Sequence, residues 1–278
     1  MLSEKLLNVK QNAAIERLYN NNHTVLIAAT GAGKTIICLT AIKELITDGV
    51  ILKVIVACPA RVVPIWKKEA KKWDHTSSLK VVMLDGPASA RSKSLLETAD
   101  IVVISLNSLD WLLEQDHGCD GIIIDELSKA SGKQAKGLRS KRKGGCFSWR
   151  VGMTATPVSQ DFEKLYAMAR IIDKGAALGT TKQGYLDKYF YSDYMGYNWT
   201  LREGGAEKIM GLVRSLVYAV EDTKKDDLPA CHYHEIRFDM PENTRAIYNY
   251  MKTDMVAGDV EAVNEAVKSG KLRQLASG

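Results

Sequence analysis

Two groups of residues have the types and spacing to handle phosphate and water. In Ala28-Ala29-Thr30-Gly31-Ala32-Gly33-Lys34-Thr35 the glycines let the backbone turn tightly, so that its N–H groups and a following helix N-terminus can surround phosphate oxygens. Lys34 is placed to reach the β- and γ-phosphates, and the Thr35 hydroxyl is the expected Mg²⁺ ligand. Ala28 stands where the eight-residue pattern usually begins with glycine, which leaves the Gly-x-Gly-Lys-Thr core intact. The second group is Asp125-Glu126, two carboxylates closing the apolar run Ile122–Ile124. Such a pair can cap a helix or sit on a solvated edge. Beside a phosphate loop it can also present Asp125 to a metal and Glu126 to water as a general base.

These side chains need a scaffold that brings distant segments together. Val25–Ala29, Val54–Cys58, Val81–Leu84, Ile101–Ile104 and Ile122–Ile124 are continuous apolar runs, and a sixth is expected over Trp149–Met153. Runs without alternation belong to strands covered on both faces, which implies a parallel sheet between helix layers. Thr35–Thr47 and Val63–Lys72 suit crossover helices, and Lys5–Tyr19 carries an apolar stripe suited to a leading helix. After Pro157 the pattern turns helical over 161–172, 183–190 and 206–217, with glycines marking the loops. Lys224–Pro229 reads as a charged linker, His232–Phe238 alternates like a strand, and Pro241-Glu242 opens another helix. The expected organisation is an α/β domain over 1–160, a helical segment over 161–223 and a connecting segment over 224–278.

Composition narrows the class. With 278 residues, 46% hydrophobic and 26% charged, the chain reads as an ordinary globular protein rather than a collagen, coiled coil or disordered tail. The net charge of +5 permits a nucleic-acid partner without requiring one. No apolar h-region opens the sequence and no run approaches a membrane span, so a cytoplasmic location is expected. Five cysteines without paired CxxC spacing read as thiols of a reducing compartment, and the Cys231-His232-Tyr233-His234 stretch lacks a second ligand pair for zinc.

The order of Gln11, the Ala28–Thr35 loop, Pro59-Ala60-Arg61, Ser105-Leu106-Asn107, Asp125-Glu126 and Thr154-Ala155-Thr156-Pro157 resembles the first motor lobe of superfamily 2 helicases. It is most similar to Swi2/Snf2-like DNA translocases of the phage and prophage type, and Lys271–Ala276 looks like the family's passage into a second lobe. The resemblance implies a RecA-like P-loop fold in three layers and an ATP hydrolase that uses ATP and Mg²⁺. Thr30, Gly31, Gly33, Lys34 and Thr35 would hold the nucleotide. Gln11 would read adenine, although a glutamine on an amphipathic helix is also at home in solvent. Thr154 and Thr156 would couple the nucleotide site to nucleic acid. Leu127-Ser128 stands where the family more often has Ala-His, so any linkage made by that histidine is absent or replaced.

Double-stranded DNA is the implied partner, with Arg61, Ser105 and Asn107 on backbone phosphates. Lys133, Lys136 and Arg139 open a basic cluster that either tracks phosphates or forms a solvated loop. The tyrosines between Tyr185 and Tyr197 either pack the helical segment or make a contact. The resemblance also calls for a second RecA-like lobe, in the same or another chain, without which hydrolysis should be weak. The alternative is a single-lobe nucleotide- or DNA-binding regulatory module that acts on another motor.

Overall fold

Residues 1–130, 137–138, 147–155, 161–194, 198–220, 234–235, 239–253, 256–257, 260–261 and 265–277 are described by a computed structural model. The Lys5–Tyr19 stripe does not form one helix. Asn8 interrupts it, because its side chain accepts from the Gln11 N–H while the Gln11 side chain accepts from the Asn8 N–H, a reciprocal cap that starts a new helix. A 3₁₀ turn over Glu4–Leu6 therefore precedes α1 (Val9–Asn20).

β1 (His23–Ala28) leads through the glycine loop into α2 (Lys34–Thr47), whose buried face runs from Ile36 to Leu45. β2 (Val54–Cys58), α3 (Val63–Lys72), β3 (Val81–Leu84), α4 (Ala88–Leu95), β4 (Ile101–Ser105), the short α5 (Leu109–Leu112), β5 (Gly121–Asp125) and β6 (Trp149–Thr154) follow. All six apolar runs are strands, and every residue of β2 and β5 is buried, as two-sided coverage requires. The strands lie in the order β3-β4-β2-β5-β6-β1 and pair in parallel throughout. Separate hydrophobic clusters fill the two faces: Ile55 and Ala57 belong to one, Val54 and Val56 to the other. The domain is thus an α/β, RecA-like three-layer fold.

The segment after β6 differs from the helical expectation. It contains α6 (Phe162–Asp173), α7 (Lys182–Tyr189), the antiparallel pair β7 (Phe190–Ser192) and β8 (Trp199–Leu201), and α8 (Gly205–Val213). β9 (Val217–Val220) then returns to the main sheet as a seventh parallel strand beside β1. Val217 was expected to end a helix. Instead the chain turns at Leu216, whose N–H donates to the Val213 carbonyl and whose own carbonyl accepts from the Val25 N–H. That starts a ladder for the β-favouring Val-Tyr-Ala-Val run.

Contacts divide the chain into Met1–Asp226 and Asp227–Gly278. The second unit pairs α9 (Glu242–Thr253) with α10 (Glu265–Ser277), with Met251 buried against Leu272 and Leu275, and includes the two-residue strands β10 (Val256–Ala257) and β11 (Val260–Glu261). Most of the expected His232–Phe238 strand and all of Lys224–Pro229 lie outside the described residues.

Candidate active site

Parallel strands send all their C-terminal ends to one rim, and there the sequence-predicted residues collect. Following the sheet order, Ser105 closes β4 and Asn107 follows it, Arg61 follows β2, Asp125 closes β5 with Glu126 next, Thr154 closes β6, and the glycine loop follows β1.

The loop depends on two left-handed residues. Gly31 has φ +88° and Gly33 has φ +85°, the latter serving as N-cap of α2 without a side chain to cap it. A Cβ at Gly31 would meet nothing within 4 Å, so the loop's outer wall is open. A Cβ at Gly33 would run into Gln11 Nε2, the group that donates to the Ala32 carbonyl at 3.1 Å. Gln11 therefore fastens α1 to the loop. Its Oε1 is held by the Asn8 N–H at 3.0 Å, which leaves the carboxamide one further lone pair and one further N–H. Lys34 Nζ donates to Ala28 O at 2.8 Å and Ala29 O at 3.1 Å, with a third donor in reserve. Thr35 is half-buried in the first turn of α2, where the early N–H groups have no intrahelical partner, and no acidic residue lies in that turn.

Asp125 is 8% exposed, and burial is the main force raising its carboxyl above the usual carboxylate range. The Trp66 indole N–H opposes that shift by donating to Asp125 Oδ2 at 3.3 Å, and the Lys34 charge opposes it as well. The Lys34 charge thus acts on Asp125 across the rim. Two buried free thiols lie near this carboxylate: Cys38 from α2 and Cys58 from β2, the latter pushed up to about 12, chiefly by burial and then by Asp125. Glu126 has φ +61° and ψ +55°, a left-handed conformation that costs a residue with a Cβ roughly 1–2 kcal/mol. It is half-buried and turns the chain sharply into the Leu127–Lys129 3₁₀ turn.

Arg61 and Asn107 are exposed, each on a 3₁₀ turn directly after its strand, while the Ser105 hydroxyl donates to Ser108 Oγ at 3.1 Å. Cys58 and Ser105 are register partners, which sets the two turns side by side. Thr154 is fully buried. Thr156, Lys133, Lys136 and Arg139 lie outside the described residues. Tyr185 and Tyr189 pack with Tyr166 and Phe190, whereas Tyr191 and Tyr194 are exposed.

The donor set matches a nucleotide with a hard cation. A hydroxyl and a carboxylate are oxygen ligands of the kind Mg²⁺ accepts, and the open loop wall, the free early amides of α2 and the Lys34 ammonium suit phosphate. Among the described residues no group of three or more His, Cys, Asp and Glu is arranged to hold a metal alone, and no helix is long and apolar enough to cross a membrane.

Sequence reading missed two supports of the site. Trp66 reads as an apolar position of α3, and nothing in its spacing announces a donor to Asp125. Gly152 in β6 faces Leu127 so closely that a Cβ would collide with Leu127 Cδ2 and approach Ile172 Cδ1 to 3.1 Å, so this glycine makes room for the turn after Glu126.

A model of the SNF2-related domain matches residues 11–276. Putative protein p41 of Acyrthosiphon pisum secondary endosymbiont phage 1 is 28% identical over 96% of this chain and 63% of its own length. DNA repair and recombination protein RAD54B of Homo sapiens is 26% identical over 54% of this chain and 17% of its own. The Sulfolobus solfataricus SWI2/SNF2 ATPase core in complex with dsDNA superposes with a TM-score of 0.64 at 18% identity, over 97% of this chain and 58% of that one. The chain thus spans less than two thirds of each of these relatives.

Proposed function

The chain belongs to the SNF2-related domain family, and from that premise we propose that it is the ATP-binding lobe of a DNA-dependent ATPase of the Swi2/Snf2 kind. The observation that carries the reading is that β1, which leads into the glycine loop and Lys34, and β5, which ends in Asp125-Glu126, both flank β6 and end on the same rim.

In this reading the amides of Gly31–Thr35 and the Lys34 ammonium bind the phosphates, and Gln11 spends its remaining donor and acceptor on adenine. Thr35 and Asp125 would hold Mg²⁺, whose chemistry there would be Lewis-acid polarisation of the phosphate oxygens. The Glu126 carboxylate receives a proton from water as that water attacks the γ-phosphorus and the bond to the bridging oxygen of departing ADP breaks. Arg61, Ser105 and Asn107 bind backbone phosphates on the same rim, with Lys133, Lys136 and Arg139 adding charge, while Thr154 and Thr156 couple the two regions. A second RecA-like lobe, in this or another chain, completes the site for full hydrolysis.

The test is steady-state ATP hydrolysis with and without duplex DNA, beside nucleotide binding. Lys34→Ala should lose most nucleotide affinity, and Glu126→Gln should keep affinity and abolish any DNA-stimulated rate. Unchanged ATP affinity in Lys34→Ala would overturn the assignment of the loop.

A further inference from the structure

The rim does not stop at β4. β3 is the next strand outward, and the chain leaves its C-terminal end through Asp85-Gly86-Pro87 into α4. Arg91 lies one turn into α4. Its guanidinium carbon sits 4.4 Å from the ring centroid of Trp111, on the short helix α5 that follows the Asn107 turn. The stacked arginine is thus fixed beside the segment carrying Ser105 and Asn107.

Two features set Arg91 apart from an ordinary surface arginine. Its Nε is buried without a hydrogen-bond partner, and among the described residues it forms no ion pair. Asp85, in the turn between β3 and α4, accepts the Gly86 N–H through Oδ1 at 2.8 Å and forms no ion pair with Arg91. Stacking on an aromatic face orients a guanidinium while leaving its terminal N–H groups for an anion, and a planar fork of donors suits phosphate.

We propose that Arg91, held over the Trp111 ring, is a further phosphate contact for duplex nucleic acid, extending the line of Arg61, Ser105 and Asn107 outward to β3. This rests on the DNA reading above. The contact is to backbone, so it adds affinity and salt dependence without sequence preference. Strands lie about 4.8 Å apart, so the step from β2 to β3 spans roughly 10 Å and lies within reach of neighbouring phosphates along one strand of a duplex.

The experiment measures binding of the full chain to a mixed-sequence duplex of about 20 base pairs between 50 and 200 mM salt, scales at which counterion release is resolved. Arg91→Met keeps an unbranched apolar stem over Trp111 and removes the charge. It should reduce the magnitude of the log–log salt slope by about 0.9, the value of one phosphate contact, with the ranking of different duplex sequences unchanged. Arg91→Lys keeps the charge without the planar guanidinium and should retain nearly the whole slope with weaker binding. A slope that stays at the unaltered value in Arg91→Met while Arg61→Gln lowers it would overturn this contact alone. Absence of salt-dependent duplex binding by the unaltered chain would overturn the DNA reading and this contact with it. Should Arg91→Met lose its cooperative thermal transition, Arg91→Lys decides: a slope reduced by a full contact despite the retained charge refutes the phosphate role.

Discussion

Trp66 donates its indole N–H to the carboxylate of Asp125 from a helix that begins two residues after Arg61. One buried side chain thus joins the turn proposed to meet DNA to the residue proposed to hold Mg²⁺. Trp66→Phe keeps most of the packing and deletes the donor. A hydrogen bond to a charged group contributes about 1.5–3 kcal/mol, so the Mg²⁺ concentration for half-maximal nucleotide binding should rise on the order of tenfold. Titration of a fluorescent nucleotide against Mg²⁺ reads this directly, and an unchanged midpoint would show that the indole only fills space.

The two loop glycines should fail differently when given a Cβ. Gly31→Ala meets open space and should lose only the left-handed penalty, roughly 1–2 kcal/mol. Gly33→Ala also pushes on Gln11 Nε2, so it should be the less stable variant and should detach α1 from the loop. Thermal unfolding ranks the pair, and hydrogen exchange at Asn8 and Gln11 reports the cap.

Glu126 offers the reverse case, a substitution that abolishes hydrolysis and stabilises the fold. Glycine adopts its left-handed backbone without strain, so Glu126→Gly should unfold at a higher temperature than Glu126→Ala, by up to about 1–2 kcal/mol in stability. Equal stabilities would mean that the turn relaxes freely in both variants.

A pH dependence follows from His117. Its Nδ1 accepts the Cys119 N–H at 3.0 Å and its ring stacks on Phe147, so the fold requires the neutral form. Burial chiefly, and then the Lys53 charge, hold its pKa below the usual 6.5. The unfolded chain therefore binds more protons between that lowered value and 6.5, and stability falls as pH drops through this window. His23, lowered by burial and by Arg150 and Lys174, adds to the same slope. His117→Asn supplies an acceptor that does not titrate, so its melting temperature should vary less between pH 7 and 5. A variant as pH-sensitive as the parent would place the effect elsewhere.

What the sequence discloses depends on the range over which each signal acts. Six strands were legible because burial on both faces leaves each of them a stretch of consecutive apolar residues, a local property of runs such as Ile122–Ile124. The loop and the acid pair were legible because their chemistry is written in consecutive residues. β9 was not, since these four residues continue a helical pattern in the sequence and become a strand only where β1 offers them an edge. The same holds for Trp66 and Gly152, whose roles come from Asp125 and Leu127, far away along the chain. The left-handed φ of Glu126 runs against residue preference and is imposed by its surroundings.

Cys38 and Cys58, buried in one cluster near Asp125, have a practical consequence. Their thiols are screened from solvent and held largely uncharged, so alkylating reagents should reach them only when the ground beneath the loop opens. Their labelling rates, read by peptide mass, give the protein a native clock for breathing at the site, and a ligand that closes the rim should slow both hands of that clock together.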